Sequence, residues 1–537
     1  MTQTVLELND QAFEGLVARV TEAKEHGLAL SADDTQLLLD ALMTLANLQE
    51  RLSDKDVTLY KLRKLLGIVK SSEKLSGLLS SARQDKAGNK KASTGKKTRK
   101  KKSKAAGQAV KPQVAHHKLE KLKKGDPCPE CPKGKLYKYE PARLLRVTGN
   151  TAFTPVQHLS ERLRCNACGA FFTAELPEDV KADGGSEQKY GYSARSMMGI
   201  NKYFAGSPFY RQESLQDLLG MPISASTVFD QCEYLSNDLY PVFKCFKRIA
   251  ANAVHFHIDD TGNRILNQKP IKKKRRNSDK EQLRTGIYSS GMIAHMESGH
   301  EFVLFNTGIG HAGEFLDDIL KQRSPDQPLP LVMSDALSSN HVTCTPFFKS
   351  LCNSHARRQF VDVLLHFPEE VEWVLEQYQL IWVHDIATQE KGMTLSKRLA
   401  YHRQHSLPVM ENIRAWGQEK LDSHAVEENS GLGKAIRYFE KHFDGLIRFC
   451  IEEGARIDNN IMEQQIKLIV RNRKNASFFK STVGAEVGDV ITSIIATVSR
   501  AKVNLFDYLN VLQRNTESVK ANPELWLPWC YEKMLKG

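Results

Sequence analysis

The stretch Val254–Gly262 reads VHFHIDDTG and decides the fold class. Apolar and polar residues alternate along it, which is the pattern of a β-strand with two different faces. The strand ends in two adjacent carboxylates and a turn. If the alternation continues, Asp260 points to the apolar side and Asp259 to the opposite face. Asp259 is therefore the better candidate for an open site.

Further strands are predicted downstream of this stretch. Strand-like runs occupy 285–295 and 301–306, a helix is predicted at about 312–321, and Leu329–Asp335 has the pattern of a short buried strand that ends in a carboxylate. Three sequential strands, a helix and another strand outline a ribonuclease-H-like α/β core. Because ligands of open α/β sheets gather near the carboxyl ends of strands, both aspartates are predicted to line one site.

A third carboxylate for this site must come from farther along the chain. Residues 345–455 are polar, predicted to be helical and too long for a loop, so we interpret them as a helical insertion. After them, Asp458 can cap a helix that carries Glu463 and Lys467 on one polar stripe. Spacing alone leaves Glu463 with two possible roles, as an ion-pair partner of Lys467 on a solvated face or as a site residue.

The N-terminal part, residues 1–84, carries leucines at seven-residue spacing. They are Leu38, Leu45, Leu52, Leu59 and Leu66. This heptad predicts a leucine-zipper-like coiled coil through which the chain would form a homo-oligomer. An amphipathic helix packed on its own domain is the alternative, because Lys55 interrupts the seam.

The next segment, residues 85–124, is predicted to be a disordered basic linker. Nine Lys and Arg residues fall between Lys90 and Lys104, with no hydrophobic residue larger than alanine. Such a run, which includes Lys100, Lys101 and Lys102, suits sequence-independent contacts to phosphates. The whole chain has 76 Lys and Arg against 63 Asp and Glu, a net charge of +13, and this favours a polyanionic partner.

Residues 125–180 are predicted to form a zinc ribbon. Two C-x-x-C pairs, Cys128 with Cys131 and Cys165 with Cys168, suit one tetrahedral ion bound by four sulfurs. Such a site has no open position, so its zinc would be structural.

The remaining regions complete a multidomain α/β chain. Residues 186–250 are predicted to be helical, either as a helix-turn-helix DNA-binding domain or as plain helical packing, with Ser224 or Ser226 as a helix cap. Residues 251–512 would be the catalytic domain and 513–537 a C-terminal tail. The N-terminus has no secretory signal pattern and no run of 18 apolar residues occurs, so we expect a cytoplasmic protein without a membrane partner.

Several spaced motifs occur in a set order. They are the paired cysteines, Lys202-Tyr203, Pro208–Glu213, Asp259-Asp260-Thr261, Asp335, His355–Phe360, Asp458-Asn459-Asn460-x-x-Glu463 and Arg473-Lys474-Asn475. From about residue 115 to residue 512 the sequence resembles the DDE transposases of the IS66 insertion-sequence family. Asp260 departs from the family's usual Glu in D-E-T, and Gln464 and Lys467 depart from the arginines of E-R-x-x-R.

The resemblance implies a bacterial transposase with Asp259, Asp335 and Glu463 as catalytic acids. These would bind two magnesium or manganese ions, because hard divalent cations prefer oxygen ligands. It also implies DNA as partner, both element terminal repeats and target, with accessory proteins of the same element as an open alternative. Candidate DNA contacts beyond the linker are His355, Arg357, Arg358, Arg473 and Lys474. A zinc-ribbon and leucine-zipper regulator without catalysis is the other function that this organisation suits.

Overall fold

A computed structural model of the chain describes residues 151–164, 171–184, 188–274, 281–340 and 342–536, with scattered positions between 15 and 135. The heptad leucines, Lys100 to Lys102 and the four cysteines of the predicted ribbon lie outside the described residues. The coiled coil, the basic linker and the zinc site therefore stay predictions.

The chain divides into two compact units. One consists of residues 1–95 and 361–379, and the other of residues 96–360 and 380–537. In the first unit residues 32–37 are helical, and Arg19 forms an ion pair with Asp34 at 2.8 Å. The second unit contains the predicted catalytic acids.

A five-stranded mixed sheet lies at the centre of the second unit. Its order is β7-β6-β3-β8-β9, in which β3, β6 and β7 are antiparallel neighbours while β8 and β9 run parallel to β3. The five strands are β3 His255–Asn263, β6 Ile287–His295, β7 Glu301–Gly308, β8 Leu331–Ser334 and β9 Phe348–Leu351. Two hairpin sheets accompany it, formed by β1 Arg162–Arg164 with β2 Phe171–Thr173 and by β4 Ile271–Lys274 with β5 Glu281–Arg284.

Helices make up most of the rest of the described chain. Before the sheet come α1 Glu178–Lys181, α2 Tyr192–Gly199, a π-helical turn Ile200–Phe204, α3 Phe209–Leu218 and α4 Ala225–Ala250. Within and after it come α5 Ala312–Leu320, α6 Asn353–Val361, α7 Pro368–Glu390, α8 Leu395–His405, α9 Leu407–Asp422 and α10 Gly431–Leu446. The last are α11 Asn460–Ala476, α12 Thr482–Ala501, α13 Leu505–Arg514, α14 Thr516–Ala521 and α15 Tyr531–Lys536, and short 3-10 turns cover Ser338–Asn340, Arg448–Cys450 and Pro523–Trp526.

Both faces of the sheet are covered by helices. On one face Phe256 and Ile258 of β3 join a large core with side chains of α4, α5 and α12. On the other face Met462 and Ile466 of α11 pack against Phe305 of β7 and its neighbours. Burial on both sides explains why β3 carries apolar residues on one face and a buried His257 on the other.

The edge strand β7 is covered by polar side chains of α12. The backbone N–H groups of Val303, Phe305 and Thr307 donate to Thr497 Oγ1, Ser493 Oγ and Asp489 Oδ2, at 2.9, 2.9 and 2.6 Å. Four helical residues advance by about 6 Å and two strand residues by about 6.7 Å, so every fourth helix residue meets every second strand residue. The contacts satisfy N–H groups that an open edge would leave unpaired.

Helix α12 also has the length and composition of a membrane-spanning helix. Its apolar window has a mean hydropathy of 1.2, but 72% of that window is buried inside the protein. Its polar side chains bond to β7, as described above. In the part of the chain that the structure describes it is the one helix with this composition, and its contacts are those of a core helix.

The structure adds detail in three regions that the sequence outlined. The insertion expected from residue 345 starts with β9, a strand of the sheet, and its helices begin at Asn353. The helices between 192 and 250 share one core with the sheet, and a DNA-binding role for them stays a prediction. The expected C-terminal tail is folded as well, because Trp526 and Tyr531 are buried in that core.

Candidate active site

Asp259 lies on β3, and Asp335 directly follows β8, the neighbouring parallel strand. The last paired residues of the two strands are His257 of β3 and Met333 of β8. Asp259 follows His257 by two residues, and Asp335 follows Met333 by two residues. The carboxylates accept hydrogen bonds on Oδ1: Asp259 from the backbone N–H of Asp260 at 2.8 Å, and Asp335 from the Leu337 N–H at 3.1 Å and from Asn340 Nδ2 at 2.5 Å. Among the described residues, Oδ2 of each acid is left for a ligand.

Glu463 reaches the same neighbourhood because α11 lies close to the sheet. Gly291 of β6 is the direct cross-strand partner of Asp259. A Cβ at Gly291 would overlap the Met462 methyl carbon and stand 2.9 Å from the Phe305 ring. A glycine inside a strand often marks such a close approach, and here it lets the helix turn with Met462 and Glu463 pack beside Asp259.

Asn459 fixes the start of α11 to β3. Its side chain is 1% exposed, donates from Nδ2 to the Ile258 carbonyl at 2.9 Å, and its Oδ1 lies 3.0 Å from His257 Nδ1. The residue before Asp259 and the helix that carries Glu463 are thereby joined through one amide. Sequence reasoning quoted Asn459 within a motif without giving it a role, although a buried amide next to a site acid is a signal of positioning.

His355 and Glu463 face each other across an unfilled gap. His355 Nδ1 and Glu463 Oε1 are 3.8 Å apart, and neither atom has a hydrogen-bond partner although both are buried. This separation is too long for a direct hydrogen bond. Within the described residues Lys467 makes no ion pair with Glu463, so the surface-pair interpretation of Glu463 is not favoured.

The three acids influence one another electrostatically. The pKa of Asp259 is raised from 3.8 to about 7, first by burial and then by the negative charges of Asp335 and Glu463, while the hydrogen bond from the Asp260 N–H opposes the shift. A carboxyl with this environment holds a proton that a bound cation would displace. Orphaned oxygen atoms and crowded negative charge fit a divalent cation.

Cys352 stands next to this group without the properties of a ligand. Its Sγ lies within 4.8 Å of the nearest donor atoms of His355 and Glu463. However, Sγ accepts a hydrogen bond from the Asn459 N–H at 3.2 Å, and burial raises the pKa of the thiol to about 12. The Sγ atom thus already contacts the first turn of the helix that carries Glu463, and we do not include it among the proposed ligands, because hard divalent cations prefer oxygen.

Asp260 has a different task from its neighbour. Its Oδ2 lies 2.8 Å from His311 Nδ1 and accepts from the Ala312 N–H at 3.3 Å, at the first turn of α5. The alternation predicted for the strand therefore holds through Asp260, whose side chain braces a helix N-terminus. The contact with His311 spans 51 residues, and no local sequence pattern predicts it.

The predicted phosphate contacts are in unequal positions. Arg357 is 9% exposed in α6, while Arg358 and Lys474 are exposed. Arg473 donates from Nη1 to Thr261 Oγ1 at 3.0 Å and to the Gly262 carbonyl, so it lies along the strand that carries Asp259. His355 lies at the acid cluster itself.

Comparison with known proteins assigns the chain to a family. The model of the family described as "Transposase IS66 family" matches residues 189–487, which is more than half of the 537 residues. The chain belongs to the IS66 transposase family. The matched region contains all three acids, Asn459 and Gly291. The resemblance stated from the spaced motifs is thus confirmed at the level of the family.

Three curated relatives of this IS66-family chain come from Sinorhizobium fredii (strain NBRC 101917 / NGR234), and all three are called uncharacterized proteins. The match to y4jD is 32% identical over 35% of this chain and 37% of the relative. The match to y4hP is 21% identical over 71% of this chain and 69% of the relative, and y4qI is 23% identical over 34% and 33%. The chain thus spans little more than a third of the length of y4jD, and none of these names states an activity.

Proposed function

We propose that this chain is a DDE transposase that cuts and joins DNA strands at the ends of an insertion element. Asp259, Asp335 and Glu463 would hold two divalent cations, magnesium or manganese. The observation that carries the proposal is the convergence of three acids from β3, the end of β8 and α11: the register of β3 and β8 brings Asp259 and Asp335 to one edge, and Met462, the neighbour of Glu463, packs on Gly291 opposite Asp259. Membership of a transposase family supports DNA as the substrate.

The sheet supports a ribonuclease-H-like core. Three antiparallel strands are followed by a helix and a parallel strand, as expected from the sequence, and a second parallel strand lies at the far edge. Two of the proposed catalytic acids stand on β3 and directly after the adjacent strand β8, and the third comes from a helix packed on one face.

The proposed ligand atoms are carboxylate oxygens. Oδ2 of Asp259, Oδ2 of Asp335 and Oε1 of Glu463 have no hydrogen bonds among the described residues. When bound, the cations activate water or a 3′-hydroxyl as nucleophile and stabilise the leaving oxygen of an in-line phosphodiester displacement. Asn459 positions Glu463 relative to Asp259, and Gly291 leaves room for the helix that carries it.

Contacts to DNA outside the site stay proposals. Arg358, Arg473 and Lys474 lie on α6 and α11 near the acids, and Lys100 to Lys102 would add phosphate contacts from the basic linker. A zinc ribbon at Cys128, Cys131, Cys165 and Cys168 would complete the DNA-binding part. We place the protein in the bacterial cytoplasm, where such DNA is reached.

Self-association through the heptad leucines is a further proposal. If residues 38–69 form a coiled coil, deletion of residues 1–75 lowers the mass in solution to that of one chain. An unchanged oligomer would move the contact elsewhere. Whether accessory proteins act with the oligomer is tested by adding them to the cleavage assay.

The function is tested with DNA that carries the element's ends and magnesium, by mapping new 3′ ends. Asp259→Asn, Asp335→Asn and Glu463→Gln keep side-chain shape, so DNA binding should stay near wild type while cleavage falls by several orders of magnitude, roughly 10³-fold or more. Asp260→Asn is the matched control and should retain most cleavage. DNA binding by the wild-type protein with no magnesium-dependent cleavage would favour the non-catalytic regulator.

A further inference from the structure

A small, partly open pocket near the end of β3 combines apolar lining residues, among them Ile469 and Phe479, with several polar side chains, and the acid triad does not explain it. It is bounded by the π-helical turn Ile200–Phe204, the end of β3, the C-terminal half of α11 and the middle of α12. The polar side chains that line it are those of Lys202, Tyr203, Asn263, Asn472, Arg473 and Thr492. Its lining contains two cations and no carboxylate.

Lys202 is buried in this pocket without an acidic partner. It is 5% exposed, and its Nζ makes one hydrogen bond, to Asn472 Oδ1 at 3.2 Å. Phe209 and Tyr203 present ring faces to the ammonium at 5.1 and 5.7 Å. Because an ammonium has three donors, and no described carboxylate lies within ion-pair distance, much of its bonding capacity is unused.

Burial of such a charge is unfavourable unless an anion is bound. Burial lowers the pKa of Lys202 from 10.5 to about 8, so the side chain remains mostly protonated at neutral pH. Replacing a buried unpaired charge by an apolar side chain of similar size is often neutral or stabilising. The presence of lysine here is therefore not explained by folding.

A second atom in the pocket also lacks a partner. Thr492 is 1% exposed, and its Oγ1 is buried without a hydrogen bond. Buried polar groups are usually satisfied, so an unpaired hydroxyl in the same pocket as an ammonium with unused donors indicates a missing ligand that accepts hydrogen bonds. Gly488 lines the same pocket, and a Cβ there would stand 3.1 Å from the Phe479 ring and 3.2 Å from the Tyr203 ring, so glycine lets these two rings pack closely against α12.

Arg473 connects this pocket to the strand that carries Asp259. Its guanidinium donates to neutral acceptors, Thr261 Oγ1 and the Gly262 carbonyl. Asn263, which lines the pocket, is four residues beyond Asp259, or about 13 Å along a strand. At about 3.4 Å per nucleotide in duplex DNA, this distance corresponds to about four nucleotides.

We propose that this pocket binds a backbone phosphate of the DNA strand, within about four nucleotides of the phosphate under attack, through Lys202, Thr492 and Arg473. This inference rests on the proposed function, because that function identifies the bound strand as DNA. The ammonium and the guanidinium neutralise the phosphate, and the Thr492 hydroxyl donates to one of its oxygens. The π-helical turn suits this task, because such turns displace a side chain from the regular helical position and recur at functional sites.

The test uses the full chain without magnesium and a single-stranded oligothymidylate as probe. Lys202→Met should weaken binding roughly 10-fold and reduce the slope of log affinity against log salt by about one unit. Its melting temperature without DNA should equal or exceed that of the wild type. Lys434→Met, at an exposed position of α10, is the matched control and should change neither affinity nor slope.

Three outcomes decide the inference. Unchanged affinity and slope in Lys202→Met overturn it, and so does a lower melting temperature that accounts for the lost binding, because Lys202 would then be structural. A further measurement adds inorganic phosphate at constant ionic strength and follows the melting temperature. A rise in the wild type and not in Lys202→Met would indicate a site that binds free phosphate, and no rise in either would indicate a site that needs the DNA strand. Both outcomes support the proposal if Lys202→Met weakens binding of the oligothymidylate. This binding assay involves no cleavage. If the wild type fails to cleave DNA in the triad assay, the proposed function fails, but the result for Lys202 is unaffected.

Discussion

The methyl group of Met462 occupies the space where a side chain on Gly291 would stand. Gly291 is also the residue opposite Asp259 in the sheet. The glycine thus sets how closely α11 approaches β6, and through α11 it sets the position of Glu463.

Gly291→Ala should therefore damage both the fold and the site. The added methyl group must displace Met462 or the Phe305 ring, and overpacking of this kind costs about 1–3 kcal/mol. We expect a lower melting temperature and, at a temperature where the variant is folded, at least roughly 10-fold slower cleavage with nearly normal DNA binding. Gly308→Ala at the end of β7 is the control, since its Cβ would meet nothing within 4 Å. Equal cleavage by the two variants would separate Gly291 from the site.

Stability in the absence of metal should depend on pH through Asp259. Its pKa is about 7 in the folded chain and ordinarily 3.8, so the folded state holds a proton that the unfolded state loses. The folded state is consequently destabilised as pH rises from about 4 to 7, at roughly 1.4 kcal/mol per pH unit at most.

The measurement is thermal unfolding with a chelator across this pH range. Asp259→Asn should melt above the wild type at pH 8, and the difference should shrink as pH falls toward 4. Magnesium should raise the melting temperature of the wild type more than that of the variant. A wild type that is as stable as the variant at pH 8 without metal would contradict the buried, crowded environment of Asp259.

His355 is expected to support Glu463 without binding the cation itself. His355→Ala removes the ring nitrogen that faces Glu463 across 3.8 Å. Loss of a group next to a metal ligand typically costs roughly 10–100-fold in metal affinity or activity. We expect a higher magnesium concentration for half-maximal cleavage, with His366→Ala, at an exposed position, as control. If excess magnesium does not restore any cleavage, His355 has a direct role on the DNA.

Ser493 should be important for stability and unimportant for chemistry. Ser493→Ala leaves the buried Phe305 N–H without its acceptor, which costs about 1–3 kcal/mol. Ser499→Ala, at an exposed position of the same helix, should change unfolding by less than about 0.5 kcal/mol. Denaturant unfolding of both variants measures the difference, and equal midpoints would show that water replaces the lost hydroxyl.

The predicted ribbon is tested by metal content. The wild type should contain one zinc per chain, and Cys128→Ser should lose it, bind DNA more weakly and keep the core folded. Cys344→Ser changes an exposed cysteine outside the predicted ribbon, and this variant should keep the zinc. Unchanged zinc in Cys128→Ser would end the four-cysteine assignment.

The sequence predicts those strands and helices whose apolar residues recur at regular spacing. Alternation along 254–262 and the apolar run before Asp335 correctly predicted β3 and β8, and Ser224 does cap α4, accepting from the Thr227 N–H. Strand β9 was missed because Phe348–Leu351 is only four residues long and its second residue is Lys349. A run this short carries too little periodicity to distinguish a strand from a helix.

Contacts between distant residues account for what the sequence did not predict. The bond of Asn459 to Ile258 spans 201 residues, and the overlap of Met462 with Gly291 depends on how a helix sits on a sheet. Neither leaves a local pattern. Likewise, the residues after 512 have turn-rich sequence, and only burial of Trp526 and Tyr531 against helices far earlier in the chain gives them a fixed place.

The cover that α12 provides for β7 has a consequence for synthesis of the chain on the ribosome. The three bonded pairs are separated by 182, 188 and 194 residues. At about 5–20 residues per second, the strand emerges on the order of 10 to 40 s before its cover. During that interval a nascent chain presents an unprotected β-edge, and a product truncated before Asp489 would keep it permanently. Such fragments are expected to require chaperones or to aggregate, whereas the finished chain is protected.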